Sequence, residues 1–261
     1  MTNLLVIKIG GNIIDDEKKL TAFLYDFASL KEKKILIHGG GKLATRLADQ
    51  IGIKQQLVDG RRITDAETLK VVTMVYAGFI NKNIVAELQS HGCNAIGVTG
   101  ADGNLIKAHK RIHPTIDFGF VGDVDSVSDE LLNDLIQKNL TIVFAPLTHD
   151  TNGSLLNTNA DTIAQEIAKA MSKHFDVQLI YSFEKSGVLL DVDDENSVIP
   201  LIDPTSYEDL KEKKAIFSGM IPKLDNAFTA LKQGVKKVTI GKAEELQQMI
   251  AGQSGTNIVN E

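Results

Sequence analysis

The sequence predicts an α/β protein organised on a parallel sheet whose strand ends carry the ligand. Two observations lead there. Within the first fifty residues an apolar run, a glycine turn and a helical pattern follow one another twice. Midway along the chain, an apolar run over residues 141–146 leads into the polar stretch 155–161 (LLNTNAD) and then into another helix. At 261 residues, 43% hydrophobic and 24% charged, the chain has ample material for one large domain or two lobes sharing a sheet.

Residues 4–9 read as the first strand, with one intruder, Lys8, beside Gly10-Gly11. A buried ammonium there needs an anion. A helix over 17–30 follows, then a strand over 35–38 ending in Gly39-Gly40-Gly41, then a helix over 42–51. The second turn formally satisfies G-x-G-x-x-A, and Asp59 lies at the distance a dinucleotide fingerprint requires. Bare glycine amides at a helix start also bind carboxylate or phosphate. Two such turns side by side suit two anionic partners better than one dinucleotide. A Walker A reading fails, because Leu43 stands where Ser or Thr is needed.

Asp59-Gly60 reads as a hairpin turn, followed by Arg61 and Arg62 on opposite faces of a strand. Either both are solvated, or one forks onto a carboxylate. Residues 65–91 form a long helical stretch, with a possible break at Gly78. Its section 71–80 is apolar nearly all round, which means burial within the domain or cover for a partner subunit. The second is favoured, with Val72, Val75, Tyr76 and Phe79 as contacts.

A strand over 94–99, a glycine-rich hairpin over 118–124 and a helix over 127–138 lead to the central stretch. There Asn157, Asn159 and Asp161 alternate, so an extended backbone projects them to one side. Asn159 or Asp161 could instead cap the helix 160–173. Beyond it come strands over 177–183 and 188–190, acidic turns over 191–195, and a small helix near 207–211. A helix over 219–233, a strand over 237–240 and a helix over 244–251 close the chain. Lys223, in SGMIPK, is a second lysine beside a glycine turn. An aspartate between Lys8 and Lys223 would hold two cations around a transferring phosphate.

Several classes are disfavoured. The net charge of −6 speaks against nucleic acid, and no apolar run reaches membrane-spanning length. Cys93 is the only cysteine, which fits a reducing cytoplasm and no thiolate metal site. The six histidines have no metal-ligand spacing. The chain opens directly into a strand, so no signal peptide is expected.

KIGGN, HGGGK, DGRRIT, TGADG, GFVGDV, LNTNAD and SGMIPK occur here in the order seen in the amino acid kinase family. Together they resemble the branch that phosphorylates N-acylated glutamate, and the resemblance covers essentially the whole chain. It implies a three-layer αβα sandwich on an eight-stranded, mostly parallel open sheet. A lobe over 1–173 would bind the acyl-glutamate and dimerise, and a lobe over 174–261 would bind nucleotide. The implied reaction is phosphoryl transfer from ATP, with Mg²⁺, to the side-chain carboxylate of N-acetyl-L-glutamate in arginine synthesis.

By the same resemblance, Lys8 and Lys223 stabilise the transferring group and Asp161 orients them. Gly40, Gly41, Arg62 and Asn157 contact the acyl-glutamate. Gly11 approaches the phosphates, and Glu184, Lys185, Ser186, Gly187, Val188, Leu189, Ala215, Ile216 and Phe217 line the adenine and ribose. The family more often has Thr-Asp-Val where this chain has Phe183-Glu184-Lys185, and a glycine where Leu147-Thr148-His149 stands. The second departure admits N-succinyl-L-glutamate as an alternative, with Arg61 or His149 as carboxylate partner. A homodimer is expected. Arginine-sensitive hexameric members carry a helix ahead of the first strand; here that strand starts at about Leu4, so insensitivity to arginine is expected. The G-x-G-x-x-A turn keeps an NAD(P)-dependent oxidoreductase in view, and a non-catalytic effector-binding module is the other class.

Overall fold

A computed structural model describes all residues except 59–60, 214, 217–219 and 261, with every side chain among the rest but those of Arg61 and Pro222. The expected hairpin turn Asp59-Gly60, the nucleotide candidate Phe217 and Ser218-Gly219 of the last motif therefore lie outside the described residues.

The first half alternates strand and helix: β1 (Asn3–Ile9), α1 (Gly11–Ile14), α2 (Glu17–Ser29), β2 (Lys33–His38), α3 (Gly41–Gln50), then the hairpin β3 (Gln56–Val58) and β4 (Arg61–Ile63). After α4 (Ala66–Val72), a π-helix (Thr73–Ile80) and α5 (Asn81–Ser90) come β5 (Ala95–Val98), β6 (Ile106–Lys110), β7 (Gly122–Val127) and α6 (Asp129–Gln137). The remainder is β8 (Thr141–Phe144), β9 (Leu147–His149), β10 (Leu155–Asn157), α7 (Ala160–Met171), β11 (Asp176–Phe183), β12 (Leu201–Ile202), α8 (Pro204–Glu212), α9 (Ile221–Lys232), β13 (Lys237–Lys242), α10 (Leu246–Ala251) and β14 (Thr256–Ile258).

Among the described residues eight strands make one sheet, in the order β12-β14-β13-β11-β1-β2-β8-β5. Every pairing in it is parallel except β13 with β14. Strand alternation divides the core in two. Leu4 and Val6 pack with residues of α6, α7 and α9, whereas Leu5, Ile7 and Ile9 pack with α2 and α5. That is the three-layer αβα sandwich, since a parallel sheet needs cover on both faces. Each fully buried aliphatic side chain contributes roughly 1.5–3 kcal/mol of transfer free energy. Lys8 has the parity of Leu4 and Val6, so it points toward α7 and α9.

Four expectations change. The helical stretch is not broken at Gly78; the chain runs through the π-helix, whose wider turn absorbs the irregularity. Val72, Val75 and Tyr76 are inside the subunit, and only Met74 (55%) and Phe79 (60%) of that segment are large, exposed hydrophobics. Residues 188–190 do not form a strand, only an isolated bridge from Leu189 to Val198. Residues 118–124 do not close a hairpin on themselves. Gly122–Val127 pairs with Ile106–Lys110, while 118–121 stitches Thr64 to Asn157 through the Thr64–Gly119 and Val121–Asn157 bridges. Gly119 has φ +67°, and a Cβ there would collide with the Thr64 carbonyl, so only glycine permits that approach.

Candidate active site

Asp161 lies in the first turn of α7, held by two cations from distant parts of the chain. Lys8 Nζ, on β1, is 2.8 Å from Oδ1, and Lys223 Nζ, in the first turn of α9, is 2.8 Å from Oδ2. Burial alone would push this carboxyl up, but Lys8 and Lys223 outweigh it and hold the group well below the usual carboxylate range. Lys223 also lies over the Phe183 ring, 5.4 Å from its centroid. The approach to α7 differs from a simple extended alternation. Asn159 is its N-cap, accepting from the Asp161 amide at 2.8 Å and the Thr162 amide at 3.2 Å. Asn159 takes the capping role, which leaves the Asp161 carboxylate free to serve the lysines.

One cavity reaches Asn159 and Ala160 beside Asp161, and a second, adjoining it, is walled by the two lysines. The first, of about 390 Å³, is walled by Gly39, Gly40, Gly41, Arg62, Tyr76 and Asn157, among others. The second, of about 530 Å³, is walled by Lys8, Gly11, Phe183, Gly187, Met220 and Lys223, among others. Gly41 and Lys42 belong to both walls, so the two spaces meet at the start of α3. The first amides of a helix have no intrahelical acceptor and carry the positive end of its dipole, which makes that meeting point suited to anions.

In the first cavity Arg62 is held by the α3 N-terminus. Its Nη2 donates to the Gly41 carbonyl at 2.9 Å and to Thr45 Oγ1 at 2.8 Å, and its Nη1 to Gln55. Asn157 donates to Thr64 Oγ1 at 3.0 Å, which ties β10 to the residue that follows β4. His149 does not border this cavity: its ring bonds to Asn104 Oδ1 at 2.9 Å and to the Asp150 carbonyl. Arg61's side chain lies outside the described residues.

In the second cavity Glu184, Lys185, Gly187, Val188, Leu189 and Val192 border the space. Lys185 Nζ pairs with Glu195 Oε1 at 2.9 Å and donates to the Val192 carbonyl at 3.2 Å. Ser186 is turned away from the wall, since its Oγ donates to Glu195 Oε2 at 2.8 Å. Ile216 is in the core at 6% exposure, and the Ala215 amide ends α8 on the Leu210 carbonyl; neither borders the cavity.

Several bordering residues were not singled out as site residues by sequence reasoning: Asn12, Lys42, Arg111, and Tyr76, which it assigned to a partner contact. Lys42 directly follows the triple glycine and Asn12 ends KIGGN, so both carried a local signal. Arg111 carried none. It reaches the first cavity through β6, and its Nε lies 3.1 Å from each Asp123 carboxylate oxygen.

This fold and this pair of cavities around two lysines and an aspartate define a family. The family model described as "Amino acid kinase family" matches residues 3–242, and the chain belongs to that family. Among curated relatives, the acetylglutamate kinase of Cytophaga hutchinsonii is 58% identical over 96% of this chain and 95% of its own. That of Parabacteroides distasonis is 55% identical over 95% and 97%. Among solved structures, an N-acetylglutamate synthase from Neisseria gonorrhoeae complexed with coenzyme A and N-acetyl-glutamate has a TM-score of 0.84 at 21% identity, over all of this chain and 60% of that one. A carbamate kinase from Giardia lamblia bound to AMP-PNP has 0.70 at 14%, over 100% and 99%. At these identities the structures speak for the fold alone. Family membership sets aside the oxidoreductase and the non-catalytic module. Physically, the glycine turn stands between two adjoining cavities.

Proposed function

We propose that the chain phosphorylates the side-chain carboxylate of N-acetyl-L-glutamate with ATP, the second step of arginine synthesis. The observation that carries this reading is the Lys8–Asp161–Lys223 bridge, whose lysines wall a cavity that adjoins the Arg62 cavity at Gly41 and Lys42. The relatives' name and their high identity over nearly the whole chain support the choice of substrate.

The acyl-glutamate occupies the cavity of Gly40, Gly41, Arg62 and Asn157, within the lobe 1–173. ATP occupies the cavity of Gly11, Glu184, Lys185 and Gly187–Leu189, between the lobe 174–261 and the glycine turns of the lobe 1–173. The substrate carboxylate is already ionised at neutral pH, so no general base is needed. Its oxygen attacks the γ-phosphorus, the bond to the bridging β–γ oxygen breaks, and ADP leaves with the electron pair. Lys8 and Lys223 neutralise charge on the transferring group, and Asp161 keeps the two ammonium heads from separating. A cationic or amide donor in such a place supplies roughly 3–4 kcal/mol, or 10²–10³-fold in rate.

Among the described residues no group of three His, Cys, Asp or Glu side chains could cage a metal. The lysines at the site cannot ligate a metal, so Mg²⁺ would have to arrive with the nucleotide. When bound it would neutralise charge between the β- and γ-phosphates. The reading places the enzyme in the cytoplasm, as a homodimer joined through Met74 and Phe79.

An ADP-coupled assay with N-acetyl-L-glutamate, N-succinyl-L-glutamate, aspartate and glutamate tests the function. Turnover is expected with N-acetyl-L-glutamate. Its absence there, with activity on another acceptor, overturns the substrate assignment.

A further inference from the structure

Behind the glycine turn 39–41 runs a chain of buried hydrogen bonds that takes no direct part in the reaction above. His38 ends β2 and is fully buried. A histidine among isoleucines and leucines is costly unless both ring nitrogens are bonded, and both are. Nδ1 lies 2.8 Å from the Gly39 carbonyl, which can only accept, so Nδ1 carries the proton. Nε2 is left to accept from Asn81 Nδ2 at 3.3 Å.

Asn81 is itself fixed in place. It opens α5 directly after the π-helix and is 1% exposed. Its Nδ2 also donates to the Val143 carbonyl at 3.0 Å, and its Oδ1 accepts from Lys82 Nζ at 3.0 Å. Gly97 makes room for it, because a Cβ there would collide with Asn81 Oδ1. With its amide oriented by the Val143 carbonyl and Lys82, Asn81 can present only a donor to His38, and a single imidazole tautomer results.

That tautomer matters because a peptide unit is a rigid plane. In a trans peptide the carbonyl of one residue and the N–H of the next point in opposite directions, and no cis peptide occurs among the described residues. Drawing the Gly39 oxygen onto His38 therefore turns the Gly40 N–H the other way. Ile80 and Tyr76 press against Gly40, where Ile80 leaves no room for a Cβ and the φ of +151° favours glycine in any case.

We propose that His38 is a positioning residue for phosphoryl transfer: donating Nδ1–H to the Gly39 carbonyl in one enforced tautomer, it aims the Gly40 amide that walls the acyl-glutamate cavity. The proposal rests on the reading of that cavity given above.

Three substitutions in the full-length enzyme separate positioning from packing. The amide of His38→Asn reaches the place of Nδ1 and keeps the bond to Gly39. The amide of His38→Gln reaches the place of Nε2, keeps Asn81 and loses Gly39. Asn81→Ala leaves His38 in place but frees its tautomer. Each is checked by circular dichroism and assayed as a ratio to wild type, using whichever acyl-glutamate wild type turns over. His38→Gln should lose about ten- to a hundredfold in kcat/KM for the acyl-glutamate, with KM for ATP moving less than about twofold. Asn81→Ala should fall between His38→Gln and wild type, and His38→Asn should stay within about threefold of wild type.

A mere filler would rank the two His38 variants the other way, since Gln is nearer His in size. His38→Gln at wild-type efficiency, His38→Asn as impaired as His38→Gln, or a matching rise in KM for ATP overturns the proposal. If neither His38 variant folds, wild-type kinetics in Asn81→Ala overturns it. Wild type without turnover on any acyl-glutamate fails the functional reading first, and the proposal with it.

Discussion

Lys223 Nζ donates to Asp161 Oδ2 at 2.8 Å across 62 residues of chain, a bond made by the first turns of two different helices. Without that carboxylate, the Lys8 and Lys223 ammonium groups would face each other unscreened. Asp161→Asn is expected to keep the fold and to lose about 10²–10³-fold in kcat. Steady-state kinetics with a circular dichroism melt checks both halves. Near-normal kcat in a folded variant would remove Asp161 from the mechanism.

Arg62 is anchored to the Gly41 carbonyl and Thr45, on the wall of the smaller cavity. Arg62→Ala should raise KM for the acyl-glutamate by about tenfold or more, since a charge-assisted pair is lost. KM for ATP should change far less. If ATP affinity moved instead, the two cavities would have their ligands exchanged.

In the other cavity, Lys185 and Glu195 hold the acidic turn so that Val192 lines the space proposed for the nucleotide. The hydrogen bond from Lys185 pulls the Glu195 carboxyl down, and the same bond raises the Lys185 ammonium. The pair is exposed, so its effect is screened by salt. Glu195→Gln is expected to raise KM for ATP a few-fold at low ionic strength, with the difference from wild type shrinking in about 0.5 M salt. A salt-independent difference would point to lost packing instead.

His38 also makes stability depend on pH. Burial, the dominant cause, pushes its imidazole down to about 4, against an ordinary value of 6.5; the Gly39 bond opposes this and Lys82 adds to it. Between those values the unfolded chain binds the proton and the folded one does not. Stability is therefore whole above pH 6.5, falls as pH drops toward 4, and levels off below. The full effect is about 3 kcal/mol. Urea titrations at pH 7 and 5 should show the loss, and His38→Asn should flatten it.

Met74 and Phe79 are the exposed hydrophobics of the π-helix, beside Leu43 and Leu47 of α3. Phe79→Glu is expected to reduce the light-scattering mass from twice the chain mass to the chain mass without lowering the melting temperature of the monomer fold. An unchanged dimer would place the interface elsewhere.

Much of this was legible because glycine turns and lone charges in apolar runs have few uses. Lys8 inside a buried strand demanded an anion, and Asp161 supplies it. The strand-turn-helix rhythm gave the parallel sheet. What could not be read was anything decided by tertiary neighbours. The apolar circumference of 71–80 favoured cover for a partner over burial, yet the fold buries Val72, Val75 and Tyr76 while leaving Met74 and Phe79 outside. Alternation suggested that Asn157, Asn159 and Asp161 point one way. Helix α7 starts inside that stretch, so Asn159 becomes its cap and Asp161 turns with the helix. Arg111 reaches the cavity only through the pairing of β6 with β7.

The strand order also governs how the protein is made. Strand β1 lies between β2 and β11 in the finished sheet, yet β11 is translated long after it. Until residues 176–183 leave the ribosome, one edge of the apolar strand Asn3–Ile9 has no hydrogen-bonding partner, and Lys8 cannot complete the lysine–aspartate–lysine bridge until α9 has been made as well. Such long-range parallel pairing folds slowly and exposes a sticky edge on the nascent chain. Chaperone cover during synthesis, and failure of fragments cut before β11 to stay in solution, follow from that order.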